Sequence, residues 1–188
     1  MDEVHLFQDR KAWAKWLKLN HASVRAVWLR LGKKGSDEKA VSYADTLEVA
    51  LSYGWIDGQK KSFNEHQFLQ RFSPRGSKSI WSKINTEKAV ALIASGAMQP
   101  TGLAEVERAK TDGRWDAAYA GSRTISIPDD LQSALDANPK ASAFFKTLNS
   151  QNRYAILFRI GNVKKAETRA KKIKTYVEML GKGEKIHP

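Results

Sequence analysis

The chain has 188 residues, no cysteine, and 32 Lys/Arg against 20 Asp/Glu, a net charge of +12. That length suits one domain, or one domain with a helical appendage, and can bury a core without a metal or disulfide staple. The lack of cysteine excludes disulfide frameworks, thiolate metal sites and cysteine nucleophiles.

The acidic, polar opening "MDEVHLFQDRKAW" is unlike a secretory signal. No apolar run approaches the roughly 18 residues that a membrane-spanning helix needs. A soluble, cytoplasmic protein is therefore expected. Residues 1–122 hold 19 Lys/Arg and 14 Asp/Glu, a net +5, and residues 123–188 hold 13 and 6, a net +7. Such a surface attracts nucleic acid, anionic headgroups or acidic partners, or simply keeps the chain in solution.

In chain order, Asp9 can cap a helix through "RKAWAKWLKLN", where Trp13, Trp16 and Leu17 fall at helical spacing. "SVRAVWLRLG" alternates, with Ala26, Trp28 and Arg30 on one face and Val27, Leu29 and Leu31 on the other, so a strand is predicted over Val24 to Leu31. Ser42 and Asp45 resemble a capping box opening "YADTLEVALSYG", and Gly54 is placed to end that helix. Strands follow at Trp55 to Ser62 and Gln67 to Ser73, with the turn near Asn64.

"RGSKS" reads as a basic connection. Asn85 can cap the next helix, "TEKAVALIASG", and Pro100 opens another. After a break rich in Gly, Ser and Pro near Gly121 to Ile127, four helices are predicted: "DDLQSALDA", "PKASAFFKTL", "SQNRYAILFRIG" and "KAETRAKKIKTYVEMLG". In the last, Ala166, Ala170, Ile173, Val177 and Leu180 make one apolar face. The expected fold class is α+β: a small, mostly antiparallel sheet of about three strands covered by helices, then an all-helical C-terminal region. The expected domains are 1–122 and, packed on it, 123–188.

Three stretches could carry chemistry. In "GWIDGQKKSF", Asp57 sits between glycines and beside Lys60 and Lys61. Asp-Gly is a common tight-turn pair; alternatively the carboxylate acts as a base or orients a cation. "QRFSPRGSKSIWSKIN" interleaves Arg71, Arg75, Lys78 and Lys83 with Phe72, Trp81 and four serines. Arginine forks suit phosphate or carboxylate oxygens and aromatic faces suit stacking. Asp57 to Asn85 holds six basic and two acidic residues, so an anion-binding cleft is expected there, with Asp57, Lys60, Arg71, Arg75, Trp81 and Asn85 as its residues. The third stretch sets Lys164, Lys165, Lys171, Lys172 and Lys174 mostly opposite the apolar stripe of the last helix, a solvated face or one that follows a phosphate backbone or membrane surface.

His5, His21, His66 and His187 have no metal-ligand spacing, so no metal and no cofactor are expected. Phosphate-loop, dinucleotide and serine-elbow signatures are missing as well.

The stretches "ALSYGWIDGQKKS", "LQRFSPRGSKSIWSKIN", "GLAEVERAKTDGRWDAAY" and the ending "IPDDLQSALDANPKASAFF…KKAETRAKKIKTYVEMLGKGEKI" resemble the YdeI/OmpD-associated, or bacteriocin-protection, family over nearly the whole chain. The resemblance implies a link to envelope stress or antimicrobial-peptide resistance. It implies no established catalytic residue. Together these readings point to a binding protein for an anionic ligand: a phosphate-bearing metabolite, a nucleic acid or an acidic partner. The alternative is a small enzyme with Asp57 as base and Arg71 or Arg75 as anion clamp.

Overall fold

The computed structural model describes residues 3–33, 35 and 40–188, and they form two compact units, Met1–Ala118 and Tyr119–Pro188. The first unit runs β1 (Glu3–His5), α1 (Arg10–Asn20), β2 (Val27–Gly32), α2 (Tyr43–Ser52), β3 (Trp55–Ser62), β4 (Gln67–Pro74), α3 (Lys83–Ala94) and α4 (Pro100–Thr111). Its sheet has the order β1-β2-β4-β3, with β4 antiparallel to both β2 and β3. The sheet is mixed rather than purely antiparallel, because β1, which has no strand signature in the sequence, pairs parallel to β2.

The alternation in β2 is realised in space. Val27, Leu29 and Leu31 join Phe72 on the face covered by Trp13 and Leu17 of α1 and Val49 and Ala50 of α2. The strand begins later than the pattern suggests, since the Ser23 and Val24 amides both donate to the Asn20 carbonyl and turn the chain off α1 first. Asp9 caps α1 by accepting the Ala12 amide at 2.8 Å. Ser42 accepts the Asp45 amide at 3.1 Å and donates its hydroxyl to the Asp45 carboxylate at 2.6 Å, the expected capping arrangement of α2.

Gly54 ends this segment at φ +75°, and its carbonyl accepts the Arg75 amide at 2.9 Å. Helix α4 then lies so close that a Cβ on Gly102 would sit 2.2 Å from the Ser52 carbonyl oxygen. A second cluster, Leu47, Leu51, Trp81, Ala89, Leu92, Val106 and Ala109, is built from α2, α3, α4 and the segment after β4. Ser82, not Asn85, caps α3: its hydroxyl accepts the Asn85 amide at 3.2 Å, which sets Asn85 inside the first turn.

The second unit is helical: α5 (Asp129–Asp136), α6 (Pro139–Thr147), α7 (Ser150–Gly161) and α8 (Ala166–Gly181). Asn138 and Asn149 cap α6 and α7 through the Ala141 and Asn152 amides. Leu131, Leu135, Phe145, Ile156, Ile160, Ile173, Tyr176, Val177 and Leu180 fill its core. The alanines of the predicted α8 stripe are exposed; Ala166 and Ala170 line a groove of about 570 Å³ while Tyr176 takes the buried place. Arg169 forks onto the Asp130 carboxylate at 2.5 and 2.8 Å and also donates to the Ile160 carbonyl, tying α8 to α5 and α7. The pair holds the Asp130 carboxyl below the usual range, chiefly through the Arg169 hydrogen bond. No helix among the described residues is long and apolar enough to cross a membrane.

Candidate functional site

The antiparallel hairpin of β3 and β4 carries the densest set of cations next to aromatic rings. Its tip is fixed by Asn64, whose side-chain oxygen accepts the His66 and Gln67 amides at 2.9 and 2.7 Å. Along its length the register slips between Asp57 and Lys60, so that Gly58 and Gln59 both stand opposite Arg71. This is a β-bulge. Buried Gln70 fills it, donating from its amide nitrogen to the Gly58 and Gln59 carbonyls at 3.0 and 3.2 Å.

The Asp57-Gly58 pair is thus part of a strand with a bulge, not the tight turn that the sequence offers. Gly58 does not adopt a positive φ. Asp57 registers with Phe72 and accepts the Tyr43 hydroxyl at 2.8 Å, linking the start of β3 to the start of α2.

Because register partners share a face, the slip decides which cations meet. Lys60 registers with Gln70 on the helix-covered side, and its ammonium lies 4.0 Å over the Phe68 ring. Lys61 registers with Leu69 on the outer side and lies 4.7 Å over Trp28 of β2. Also on that side, Arg30 lies 4.7 Å over Phe63 and donates from Nε and Nη2 to the buried Gln67 side chain at 3.0 and 2.6 Å. Arg71 stands directly across from Trp28. Asp57, in register with Phe72, and Arg71 are therefore aimed to opposite sides of the sheet.

The remaining candidates form a second group. Arg75 is buried, with 4% of its surface exposed, and its guanidinium lies 3.6 Å from the centre of the equally buried Trp81 ring. Its Nη1 donates to the Ile80 carbonyl at 3.2 Å, and its own carbonyl accepts from Arg108. Arg114, gripped by Asp112, donates to the Ser79 carbonyl at 2.8 Å, and Trp115 packs 5.0 Å from Trp81. The connection "RGSKS" is accordingly pinned at both ends, with the Gly76 amide donating to the Ser79 hydroxyl. Asn85 is buried on α3 beside this group in sequence.

On α8, Lys171 pairs with Glu167 at 2.7 Å and Lys174 approaches Glu178 at 3.9 Å, while Lys164 and Lys165 are exposed and Lys172 is half-buried. That helical face is a ladder of mixed charge rather than a continuous positive one. Among the described residues, no three His, Asp or Glu side chains gather in a way that would hold a metal ion.

Sequence reading missed Trp28, Arg30 and Phe63 as members of the basic surface. The signal was present in part: Trp28 and Arg30 alternate onto one face. What was lacking was the bulge, which reverses the parity of Lys61 and Phe63 relative to Asp57 and brings them to that same face.

A family model described as Domain of unknown function (DUF8412) matches residues 5–105, more than half of the chain. A second, described as Bacteriocin-protection, YdeI or OmpD-Associated, matches residues 124–183. No curated protein and no solved structure matches the chain. The chain thus belongs to the family of the domain of unknown function matched over residues 5–105, and the match over residues 124–183 supports the bacteriocin-protection, YdeI or OmpD-associated family that its motifs resemble.

Proposed function

We propose that the first unit is a binding module for an anionic ligand and that the β3–β4 hairpin, with Arg30 of β2, is its contact surface. Lys61, Arg30 and Arg71 supply the positive charge on the outer side of the sheet and Lys60 adds to it from the other side of the hairpin, while Asp57 orients the start of β3 through Tyr43. One observation carries this reading: three cations lie within 5 Å of aromatic ring centres at 4.0, 4.7 and 4.7 Å on the same hairpin and its neighbouring strand. A cation resting on a ring keeps its charge at the surface while its long stem is already ordered, which lowers the entropy lost when an anion binds.

Arg75, Trp81 and Asn85, which the sequence grouped with the ligand contacts, are read instead as the framework behind the hairpin. The lysines of α8 are a weaker candidate, because Glu167 and Glu178 offset part of their charge. The ligand class is a phosphate-bearing metabolite, a nucleic acid or an acidic partner. A stress response, or protection against antimicrobial peptides, is the biological setting that fits the family description.

Inorganic tripolyphosphate is a suitable probe. Titrated at low salt, it should shift the amide resonances of Lys60, Lys61 and Phe63, and the response should weaken as salt rises. The doubly substituted Lys60→Glu, Lys61→Glu protein should lose most of that response, while Lys171→Glu, Lys172→Glu should keep it. Equal loss in both proteins would mean that net charge, not the hairpin, is what the anion feels.

A further inference from the structure

The outer face of the sheet has an order of its own. Across one row stand Val4, Trp28 and Arg71, from β1, β2 and β4. The next row along the strands holds Arg30, Leu69 and Lys61. Beyond it stands Phe63, whose amide donates to the Gln67 carbonyl at 3.4 Å. A row bearing two cations therefore lies between two aromatic side chains.

The described strand residues of these rows include Arg30, Lys61 and Arg71 and no acidic side chain. Val4 and Phe63 are 50% and 47% exposed, whereas Trp28, at 8%, is buried. Phe63 is thus a half-exposed ring with the Arg30 guanidinium 4.7 Å over it, and the Lys61 ammonium lies 4.7 Å over the buried Trp28.

We infer that this face binds single-stranded nucleic acid, an inference that rests on the anion-binding reading of the same hairpin. Two sources of affinity coincide here. Cations spaced along a strand attract a phosphate backbone whatever its sequence, and flat aromatic faces accept unpaired bases by stacking. The ammonium of Lys61 occupies Trp28 in the free protein. Trp28 is buried beneath it, so the half-exposed Phe63 is the ring this face offers to a base. A compact anion uses only the cations, and an acidic polypeptide likewise gains nothing from Phe63. A duplex keeps its bases stacked inside and offers none to the rings. The chemistry of the face therefore favours an unpaired strand over the other anions.

The test compares three labelled polyanions by fluorescence anisotropy at low salt: an oligothymidylate of about 15 nucleotides, an abasic deoxyribose-phosphate chain of the same length, and polyglutamate. The oligothymidylate should bind about tenfold more tightly than the abasic chain, within the range that one stacked base supplies. Phe63→Ala and Phe63→Leu should each weaken the oligothymidylate by about tenfold and leave the abasic chain unchanged, while Phe63→Tyr should bind like the parent. Phe63 is half exposed, so these variants fold, which a melting curve checks.

Equal binding of the abasic chain and the oligothymidylate, or parental binding by Phe63→Leu, overturns the stacking inference while leaving the anion-binding module standing. Polyglutamate matching the oligothymidylate overturns it in favour of an acidic polypeptide. Failure of all three polyanions to bind sinks both the inference and the reading on which it rests.

Discussion

Arg75 shows at the scale of one residue how local sequence and spatial role can diverge. In the chain it is a loop arginine among serines and glycine, the usual setting for a ligand contact. In the fold its guanidinium lies flat on Trp81, it donates to the Ile80 carbonyl, and its backbone ties the end of β4 to Gly54. A desolvated cation–π contact and a charge-assisted hydrogen bond are each worth about 2 kcal/mol. Arg75→Ala should therefore lower the melting temperature by several degrees, since about 1 kcal/mol moves a chain of this size by roughly 2–4 °C. Arg75→Lys should recover little of the loss, because a tetrahedral ammonium does not stack as a planar guanidinium does. Tripolyphosphate binding at the hairpin should persist in both variants at temperatures below their melts. An Arg75→Ala protein that melts like the parent but no longer answers the anion would return this residue to the binding site.

At the scale of elements, the β3–β4 hairpin depends on one buried side chain. Gln70 donates to the carbonyls of Gly58 and Gln59, the two residues of the bulge. Gln70→Leu keeps the volume but strands those acceptors, at a cost of about 1–3 kcal/mol. The loss should be read most directly by hydrogen exchange, with faster exchange of the amides around Gly58 to Lys61 while those of α1 stay protected. Uniform protection across the hairpin would mean that the carbonyls find water instead.

The same element marks the limit of what was legible in the chain. Period-two alternation revealed β2, and caps such as Ser42 with Asp45 revealed α2, because those signals act within a few residues. The four helices of the second unit were legible for the same reason. The bulge was not, since it arises from pairing between strands and leaves Asp-Gly looking like any turn. Nor was the need for glycine at position 102, where the constraint is the Ser52 carbonyl of another helix. β1 is too short to show a period, and its pairing partner lies more than twenty residues away. The basic residues of the candidate site were found by composition. Their division into an outward hairpin group and an inward Arg75–Trp81 group was decided by side-chain direction, which composition does not carry.

At the scale of the whole molecule, a carboxylate in each unit bridges its helices, and acid should loosen both. In the first unit Glu48 of α2 accepts Arg10 of α1 at 2.8 Å and Lys88 of α3 at 3.0 Å. The Arg10 hydrogen bond, followed by that of Lys88, holds the Glu48 carboxyl below its ordinary value of 4.5. In the second unit Arg169 does the same for Asp130, below an ordinary 3.8. A carboxylate depressed in the folded state binds its proton more readily when unfolded, so its contribution is complete above the ordinary value and is lost as pH falls through the folded one. Stability should thus be level near neutrality and decline below about pH 5.

The units can be followed separately, because Trp13, Trp16, Trp28, Trp55, Trp81 and Trp115, all six tryptophans of the chain, lie in the first. Glu48→Gln should flatten the pH dependence of the tryptophan-detected melt and leave the remaining helical signal to fall as in the parent. Asp130→Asn should do the reverse, flattening the loss of far-ultraviolet ellipticity that is not accompanied by tryptophan change. Both carboxylates are partly exposed, so salt should shrink each effect. If Glu48→Gln leaves the acid slope of the tryptophan melt as steep as before, the clasp between α1, α2 and α3 contributes nothing to acid sensitivity, and other carboxylates must account for it.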